Sequence, residues 1–129
     1  VHGGNQWRPN IHVDDVADGI IAVIQAKQSK VGKKIFNLSS DKSNHMISQL
    51  AVGAKNIFKN AKIEIKKNLI DSRNYRVSSK FFYKQTGFKA SKNITYAYKG
   101  FKKLFNSNKN FDPERKIFSN IKVINEIQK

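Results

Sequence analysis

Residues 1–27 read VHGGNQWRPNIHVDDVADGIIAVIQAK, and this stretch determines the organisation that we predict for the chain. A Gly-Gly turn leads into polar, aromatic and basic side chains at residues 5–9, and a short extended run follows at residues 11–13. Asp15 is placed to cap a helix, with Asp18 in its first turn, where negative charge suits the helix dipole. Behind this cap, helical spacing predicts one packed apolar stripe formed by Val16, Ile20, Val23 and Ile24.

Arg8 lies on a connection stiffened by Pro9, just before this helix. A guanidinium group is a planar fork that matches the oxygens of a phosphate or a carboxylate. The position therefore predicts a fixed contact with an anion. The alternative interpretation is a surface arginine that stacks on Trp7 or Pro9.

The rest of the sequence alternates short apolar strands with amphipathic helices. Strands are predicted at residues 34–39 and 63–66, the second from strict apolar alternation. Capping residues predict further helix starts at Ser43 or Asn44, at Ser78 or Ser79, at Ser91, and at Asp112-Pro113. Gly87 stands where the residue after a helix belongs. The pattern predicts an α/β fold with about four or five helices and two or three short strands.

Two motifs resemble one known family. Residues 3–17 give the pattern Gly-Gly-x-Gln-x-Arg-Pro-x-Ile-His-Val-x-Asp-Val-Ala, and residues 73–78 give Arg-x-Tyr-x-Val-Ser, followed by Gly87-Phe88 and a capped helix. Both are similar to segments in the C-terminal half of the extended short-chain dehydrogenase/reductases, the NAD-dependent epimerase/dehydratase family. The resemblance implies that residues 1–105 form the C-terminal, substrate-binding lobe of a Rossmann-type enzyme. Residues 106–129 would add a linker and a C-terminal amphipathic helix.

The resemblance also implies a ligand. In this family, an arginine in each of the two matching segments helps to hold the diphosphate of a nucleotide-sugar, which here indicates Arg8 and Arg73. Charge-assisted bidentate hydrogen bonds are strong and directional, so two such forks suit one pyrophosphate. The resemblance assigns weaker roles as hydrogen-bonding partners of the sugar or nucleotide to Asn5, Gln6 and Tyr75. The alternative for Arg73 is a local ion pair with Asp71.

The dinucleotide-binding fingerprint and the catalytic residues of the family belong to its first half, which residues 1–129 do not match. The sequence contains neither G-x-G-x-x-G nor G-x-x-x-x-G-K-[ST], so we expect no cofactor in this chain, although NAD is expected for the full-length family enzyme. Tyr98-x-x-x-Lys102 matches the family's catalytic spacing, but Tyr98 fits an apolar helical stripe and is predicted to pack in the core. This chain alone is predicted to be non-catalytic.

Metal and thiolate chemistry have little support. The chain has no cysteine, and His2, His12 and Asp14 are not spaced as the three or four converging ligands that a metal needs. We therefore predict no metal site.

The formal net charge is +16, divided as +4 over residues 1–60 and +12 over residues 61–129. Such a charge attracts polyanions, so a basic nucleic-acid-binding module is an alternative function. However, 21 of the 25 basic residues are lysine, and lysine, asparagine and isoleucine together make 50 of the 129 residues, which indicates compositional drift on a solvated surface.

Self-association, or association with a missing N-terminal half, is a further possibility, because a separated lobe exposes apolar surface. No stretch has the length of a membrane span, so a cytoplasmic protein without membrane contact is expected.

Overall fold

The computed structural model describes residues 1–66, 72–107, 112 and 114–127. Over these residues the chain is α/β, as predicted, with six α-helices rather than four or five and one two-stranded sheet. In chain order the elements are β1 (Trp7–Pro9), α1 (Val13–Gln25), α2 (Gln28–Val31), β2 (Asn44–Met46), α3 (Ile47–Ile57), α4 (Lys80–Thr86), α5 (Ile94–Ser107) and α6 (Asn120–Ile127). Single turns of 3-10 helix lie at Asp41–Ser43 and Lys116–Phe118. No helix of the described ranges is long and apolar enough to cross a bilayer.

β1 and β2 pair antiparallel, with Arg8 opposite His45 and Pro9 opposite Asn44. Proline has no N–H to donate to a ladder, and it is tolerated in β1 because each strand of a two-stranded sheet is an edge strand. α3 continues directly from β2, and the Ser48 N–H donates to the Gly4 carbonyl at 2.9 Å. The Gly-Gly turn is therefore fixed against the start of α3.

α3 packs against α5. A Cβ added at Gly53 would lie 3.2 Å from the Tyr98 ring, so the glycine allows this close approach. The Tyr98 hydroxyl donates to the Leu50 carbonyl at 2.8 Å, and the rings of Phe58 and Phe105 meet edge to face at 6.0 Å. Since α3 follows β2 directly, its packing against α5 also holds β2 in place.

The other packing centre is a group of aromatic rings around α4. Phe82 is only 3 % exposed, and it meets the rings of Phe36 and Phe88 edge to face at 5.4 and 6.0 Å. α4 ends at Gly87, whose left-handed backbone (φ +75°) confirms the predicted helix end. The short turn after Gly87 brings Phe88 back onto Phe82.

The prediction for the start of α1 was wrong. His12 is the N-cap, because its Nδ1 accepts from the Asp14 N–H at 3.2 Å, and the helix starts at Val13. Asp15 lies inside the helix and is 1 % exposed. Its carboxylate binds the segment before α5 instead of the end of its own helix.

The single apolar stripe predicted on α1 was also wrong. Ile20 and Ile24 face solvent, with Ile24 76 % exposed, whereas Gly19 is buried. The reason is that Leu38 packs directly on Gly19, where an added Cβ would lie 2.7 Å from the Leu38 side chain. The helix is apolar on two sides, and the neighbouring chain segment selects the side that is buried.

Neither strand predicted at 34–39 and 63–66 is present. Residues 34–38 have no regular secondary structure. A strand needs the hydrogen bonds of a neighbour, and no described residue forms a ladder with them. From 63–66 only Lys66 pairs, in one parallel bridge with His2. β1 lies where the sequence predicted a connection. β2 lies where it predicted a helix start at Ser43 or Asn44, and that helix, α3, begins later, at Ile47.

Two later helices start later than predicted. The Asn93 Oδ1 accepts from the Tyr96 N–H at 2.9 Å, so Asn93 caps α5 in place of Ser91. α6 starts at Asn120 rather than at Asp112-Pro113, and Pro113 lies outside the described residues. The predicted linker at 106–111 overlaps α5, which extends to Ser107, while residues 108–111 lie outside the description.

Gly100 lies inside α5, and a Cβ added there would meet no atom within 4 Å. Because alanine favours a helix interior over glycine by about 1 kcal/mol, Gly100→Ala is expected to raise the free energy of unfolding by about 0.5–1 kcal/mol. Urea denaturation followed by the fluorescence of the single tryptophan would measure the change. A loss of stability would show that Gly100 makes a close contact that the structure does not contain.

Candidate functional site

The two motif segments, far apart in sequence, lie side by side in the fold. The Trp7 N–H donates to Asn74 Oδ1 at 2.9 Å, and the Tyr75 N–H donates to the Trp7 carbonyl at 3.4 Å. The Asn44 side chain extends the contact, since its amide nitrogen donates to the Val77 carbonyl and its Oδ1 accepts from the Val77 N–H, both at 2.9 Å. Residues 73–77 are therefore fixed against β1 and β2.

Arg8 is held at this junction. Its Nη1 donates to the Trp7 carbonyl at 2.8 Å and also to the Arg73 carbonyl. Its Cζ lies 5.6 Å from the centre of the Tyr75 ring, within cation–π range. The guanidinium direction is thus set by both motif segments at once.

A second cation–π pair lies beside the first. The Arg76 Cζ is 4.9 Å from the centre of the Trp7 ring. We call Arg8, Arg73, Arg76, Trp7 and Tyr75 the arginine cluster. It contains three of the four arginines of the chain, and an open cleft of about 350 Å³ is lined by Trp7, Asn74, Tyr75 and Arg76.

The predicted site residues have different surroundings. The backbone of Arg73 contacts Arg8, and the Arg73 side chain is exposed. Tyr75 is half exposed and Asn5 is exposed. The Tyr75 ring and the Asn5 side-chain amide therefore both reach solvent. Asp71, the alternative partner of Arg73, lies outside the described residues.

Gln6 is buried, and its amide is used internally. Its Oε1 accepts from the Gly4 N–H at 2.7 Å, and its Nε2 donates to the His2 carbonyl at 2.6 Å. Gly3 has φ +71°, and a Cβ there would lie 3.0 Å from Gln6 Oε1. Gln6 thus fixes the Gly-Gly turn that precedes β1.

Sequence reasoning missed Arg76 and Trp7 as a stacked pair. In the motif at 73–78, Arg76 directly follows Tyr75, and an extended segment places adjacent side chains on alternating faces. That alternation could have indicated a second cation–π contact once β1 was known to be the neighbour. The neighbour itself was not visible in the sequence.

Tyr98 and Lys102 are both occupied by contacts between α3 and α5. The Lys102 ammonium donates to the Ile57 carbonyl at 3.2 Å, and the Tyr98 hydroxyl donates to the Leu50 carbonyl, also on α3. Burial raises the pKa of Tyr98 above its ordinary value, whereas proton transfer near neutral pH needs a lower one. Their geometry is that of a packed helix pair.

His12 makes structural contacts. His12 caps α1 and meets the Tyr96 ring edge to face at 5.1 Å. Within the described ranges, no three His, Cys, Asp or Glu side chains are grouped so that they could hold a metal ion.

Residues 1–39 match the sequence profile of the NAD dependent epimerase/dehydratase family. The match confirms the resemblance predicted from the first motif. No curated protein matches the chain.

Solved structures extend the likeness to most of the chain. RMD from Pseudomonas aeruginosa, complexed with NADPH, is 18 % identical over 83 % of this chain and 35 % of its own, with a TM-score of 0.68. WbmF from Bordetella bronchiseptica, in complex with NAD+ and UDP, is 23 % identical over 82 % of this chain and 30 % of its own, with a TM-score of 0.61. L-threonine dehydrogenase from Clostridium difficile is 18 % identical over 82 % and 35 %, with a TM-score of 0.68. The chain thus shares its fold with about a third of the length of each.

Proposed function

We propose that this chain is the nucleotide-sugar-binding portion of an NAD-dependent sugar epimerase/dehydratase, and that Arg8 and Arg73 hold the diphosphate. The observation that carries the proposal is the contact of Arg8 with the Arg73 backbone, which joins the two motif segments into one arginine-rich surface. Outside residues 1–39, support for the family comes from the fold.

The electrostatics of the arginine cluster suit a diphosphate. Arginine remains charged at any physiological pH, and its planar fork can bind two phosphate oxygens at once. The stacking of Arg8 on Tyr75 and of Arg76 on Trp7 restricts both guanidinium groups, so less conformational entropy is lost when an anion binds. The exposed Tyr75 ring and the partly buried Trp7 ring would contact the less polar parts of the ligand.

The five predicted site residues divide into two roles under this proposal. Arg8, Arg73 and Tyr75 contact the ligand, and Asn5 adds a hydrogen bond from the exposed end of the turn. Gln6 is a positioning residue, because both ends of its amide are used within the turn.

NAD is the cofactor implied by the family, and the residues present do not fit it. The described sheet is a pair of three-residue antiparallel strands, and the sequence lacks the glycine-rich turn that cradles a pyrophosphate at a helix start. We therefore assign no catalytic step to this chain. In the whole enzyme, orientation of the sugar would be the contribution of these residues.

Calorimetric titration with UDP-glucose tests the proposal. Arg8→Ala and Arg73→Ala are each expected to weaken binding about 10- to 100-fold, because each removes a charge-assisted hydrogen bond worth about 1.5–3 kcal/mol. Arg8→Lys keeps the charge but not the fork, and is expected to lose most of the same affinity.

Arg115→Ala is the matched control, since it makes the same charge change at an exposed residue outside the cluster. It should leave the UDP-glucose affinity within twofold of the original. Equal losses in Arg8→Ala and Arg115→Ala, with the fold intact by circular dichroism, would contradict the proposal.

A second candidate function is binding of a polyanion by the basic second half. Phe81, Tyr83, Tyr96 and Phe101 are each about half exposed. Exposed rings among lysines are typical of surfaces that bind single-stranded nucleic acid. A single-stranded oligonucleotide in the same titration separates the candidates, because its affinity should fall steeply with salt and should be insensitive to Arg8→Lys.

We also propose that this chain associates with a second copy of itself or with a complementary chain. The outward side of α1 exposes Val13, Ile20, Ile21 and Ile24, and Ile35 nearby in the sequence is 95 % exposed. Exposed apolar surface of this kind favours burial against another protein surface. Sedimentation of the chain, and of an Ile20→Lys, Ile24→Lys double variant, would measure the contribution of α1.

A further inference from the structure

We propose that a cleft on the side of the molecule formed by α4 and the segment after it is a second anion site, which binds a phosphate group. The cleft has a volume of about 590 Å³ and lies between three segments, residues 39–43, 79–83 and 88–93. None of its lining residues belongs to the arginine cluster. The site is therefore independent of the nucleotide-sugar proposal.

The charge of the cleft is strongly positive. Its lining residues include four lysines and a single carboxylate, Asp41. Asp41 is already engaged, because its Oδ1 accepts from the Ser79 N–H at 2.8 Å and its Oδ2 accepts from the Ser78 hydroxyl at 3.4 Å. It thus shapes one wall, while the ammonium groups come from Lys42, Lys80, Lys89 and Lys92.

Three of these lysines are available to a ligand. Lys92 is paired, with its Nζ 3.5 Å from Asp15 Oδ1 and 3.7 Å from Asp18 Oδ2. Lys42, Lys80 and Lys89 form no ion pair with any described residue. Three ammonium groups around a concave surface concentrate positive potential, and they have three donors each.

Serine hydroxyls supply short-range donors at the base of the cleft. Ser39 is 6 % exposed, and its Oγ has no hydrogen-bond partner within the described part of the chain. A buried hydroxyl left without a partner costs about 1–3 kcal/mol. A phosphate oxygen in the cleft would satisfy it.

Ser79 adds a second hydroxyl beside the first. Its Oγ accepts from the Ser39 N–H at 2.7 Å, so its own hydrogen can point elsewhere. The two serine hydroxyls and the lysines that line the cleft together suit a tetrahedral anion, which has several acceptor oxygens. The aromatic side of the cleft, formed by Tyr83 and Phe88, leaves space for the carrier of the phosphate.

The test is a titration of the isotope-labelled chain with inorganic pyrophosphate, followed by backbone amide NMR. Saturable shifts are expected at residues 39–43 and 79–92, apart from those of the arginine cluster. A Lys80→Ala, Lys89→Ala double variant should lower the affinity at the cleft about tenfold. Ser39→Ala should lower it two- to fivefold without a loss of thermal stability, since it removes a hydroxyl that has no partner in the free protein.

A Lys99→Ala, Lys103→Ala double variant is the matched control. Both double variants lower the net charge from +16 to +14, but Lys99 and Lys103 lie on α5 outside the cleft. If both variants weaken binding equally, the attraction is that of the whole charged surface and the proposal is wrong. Shifts confined to the arginine cluster, or no saturable shift, would also overturn it.

The same titration with uridine monophosphate and with a single-stranded oligonucleotide identifies the source of the phosphate. Tighter binding of the monophosphate at the cleft indicates a small phosphate ester. Tighter binding of the oligonucleotide, with shifts that continue onto α5, indicates a nucleic-acid backbone. The Arg8→Ala variant should lose UDP-glucose binding but keep the shifts at the cleft. The two proposals can therefore fail separately.

Discussion

Phe82→Ala is expected to lower the free energy of unfolding by about 3–5 kcal/mol, the usual cost of emptying a buried phenylalanine site. Phe82 is the most buried large apolar side chain of the described residues, and it joins Phe36 to Phe88 beyond α4. Since domains have only about 5–15 kcal/mol of net stability, the variant should be close to unfolding at room temperature. Urea denaturation followed by Trp7 fluorescence measures the loss.

Phe81→Ala is the matched control, because it removes the same side chain from the next position of the same helix. Phe81 stacks on Phe36 at 5.3 Å but is 50 % exposed, so about 1 kcal/mol is expected. If Phe81→Ala and Phe82→Ala destabilise equally, then the rings around α4 do not form the packing centre that the structure shows.

Asp15→Ala is expected to lower the free energy of unfolding by about 3–5 kcal/mol, as for a buried ion pair that loses one partner. The carboxylate accepts from the Lys92 N–H at 2.8 Å and from the Ser91 N–H at 3.2 Å, and it pairs with the Lys92 ammonium. Removing it leaves these donors without an acceptor where α1 meets the start of α5. Asp18→Asn is the control, since the exposed Asp18 pairs with the same lysine and should cost about 0–1 kcal/mol.

The same carboxylate predicts acid sensitivity. Burial by itself raises the pKa of Asp15. The hydrogen bonds from the backbone N–H groups of Lys92 and Ser91, together with the charge of Lys92, outweigh this effect, so the pKa lies below its ordinary value. A lowered pKa in the folded state means that its stabilisation is fully present above the unfolded pKa of about 3.9 and is lost as the pH falls through the folded value. Urea denaturation from pH 6 to pH 3 should therefore show a loss of stability that is smaller in Asp15→Asn. An equal pH dependence in both proteins would contradict this assignment.

Local sequence predicted those elements whose ends depend on neighbouring residues. α4 starts after Ser79 and is followed by Gly87, both as expected. Glycine ends the helix because it can adopt positive φ, whereas the Ser79 hydroxyl accepts from the Ser39 N–H and forms no cap hydrogen bond. The motif at residues 3–17 was enough to predict the family resemblance that the profile of residues 1–39 confirms. These features need no knowledge of distant parts of the chain.

Only the tertiary structure decided the features that depend on a distant partner. Asp15 has the residue type of a cap, yet its carboxylate binds Ser91 and Lys92, 76 and 77 residues away. Residues 34–38 have the composition of a strand but no strand beside them, because β structure requires a second chain segment for its hydrogen bonds. Arg8 was predicted as an anion contact from its own neighbours, but its direction is set by the Arg73 carbonyl and the Tyr75 ring. The residue types and local turns of this protein therefore follow from its sequence alone, whereas tertiary packing determined which faces are buried and brought the two motif segments together.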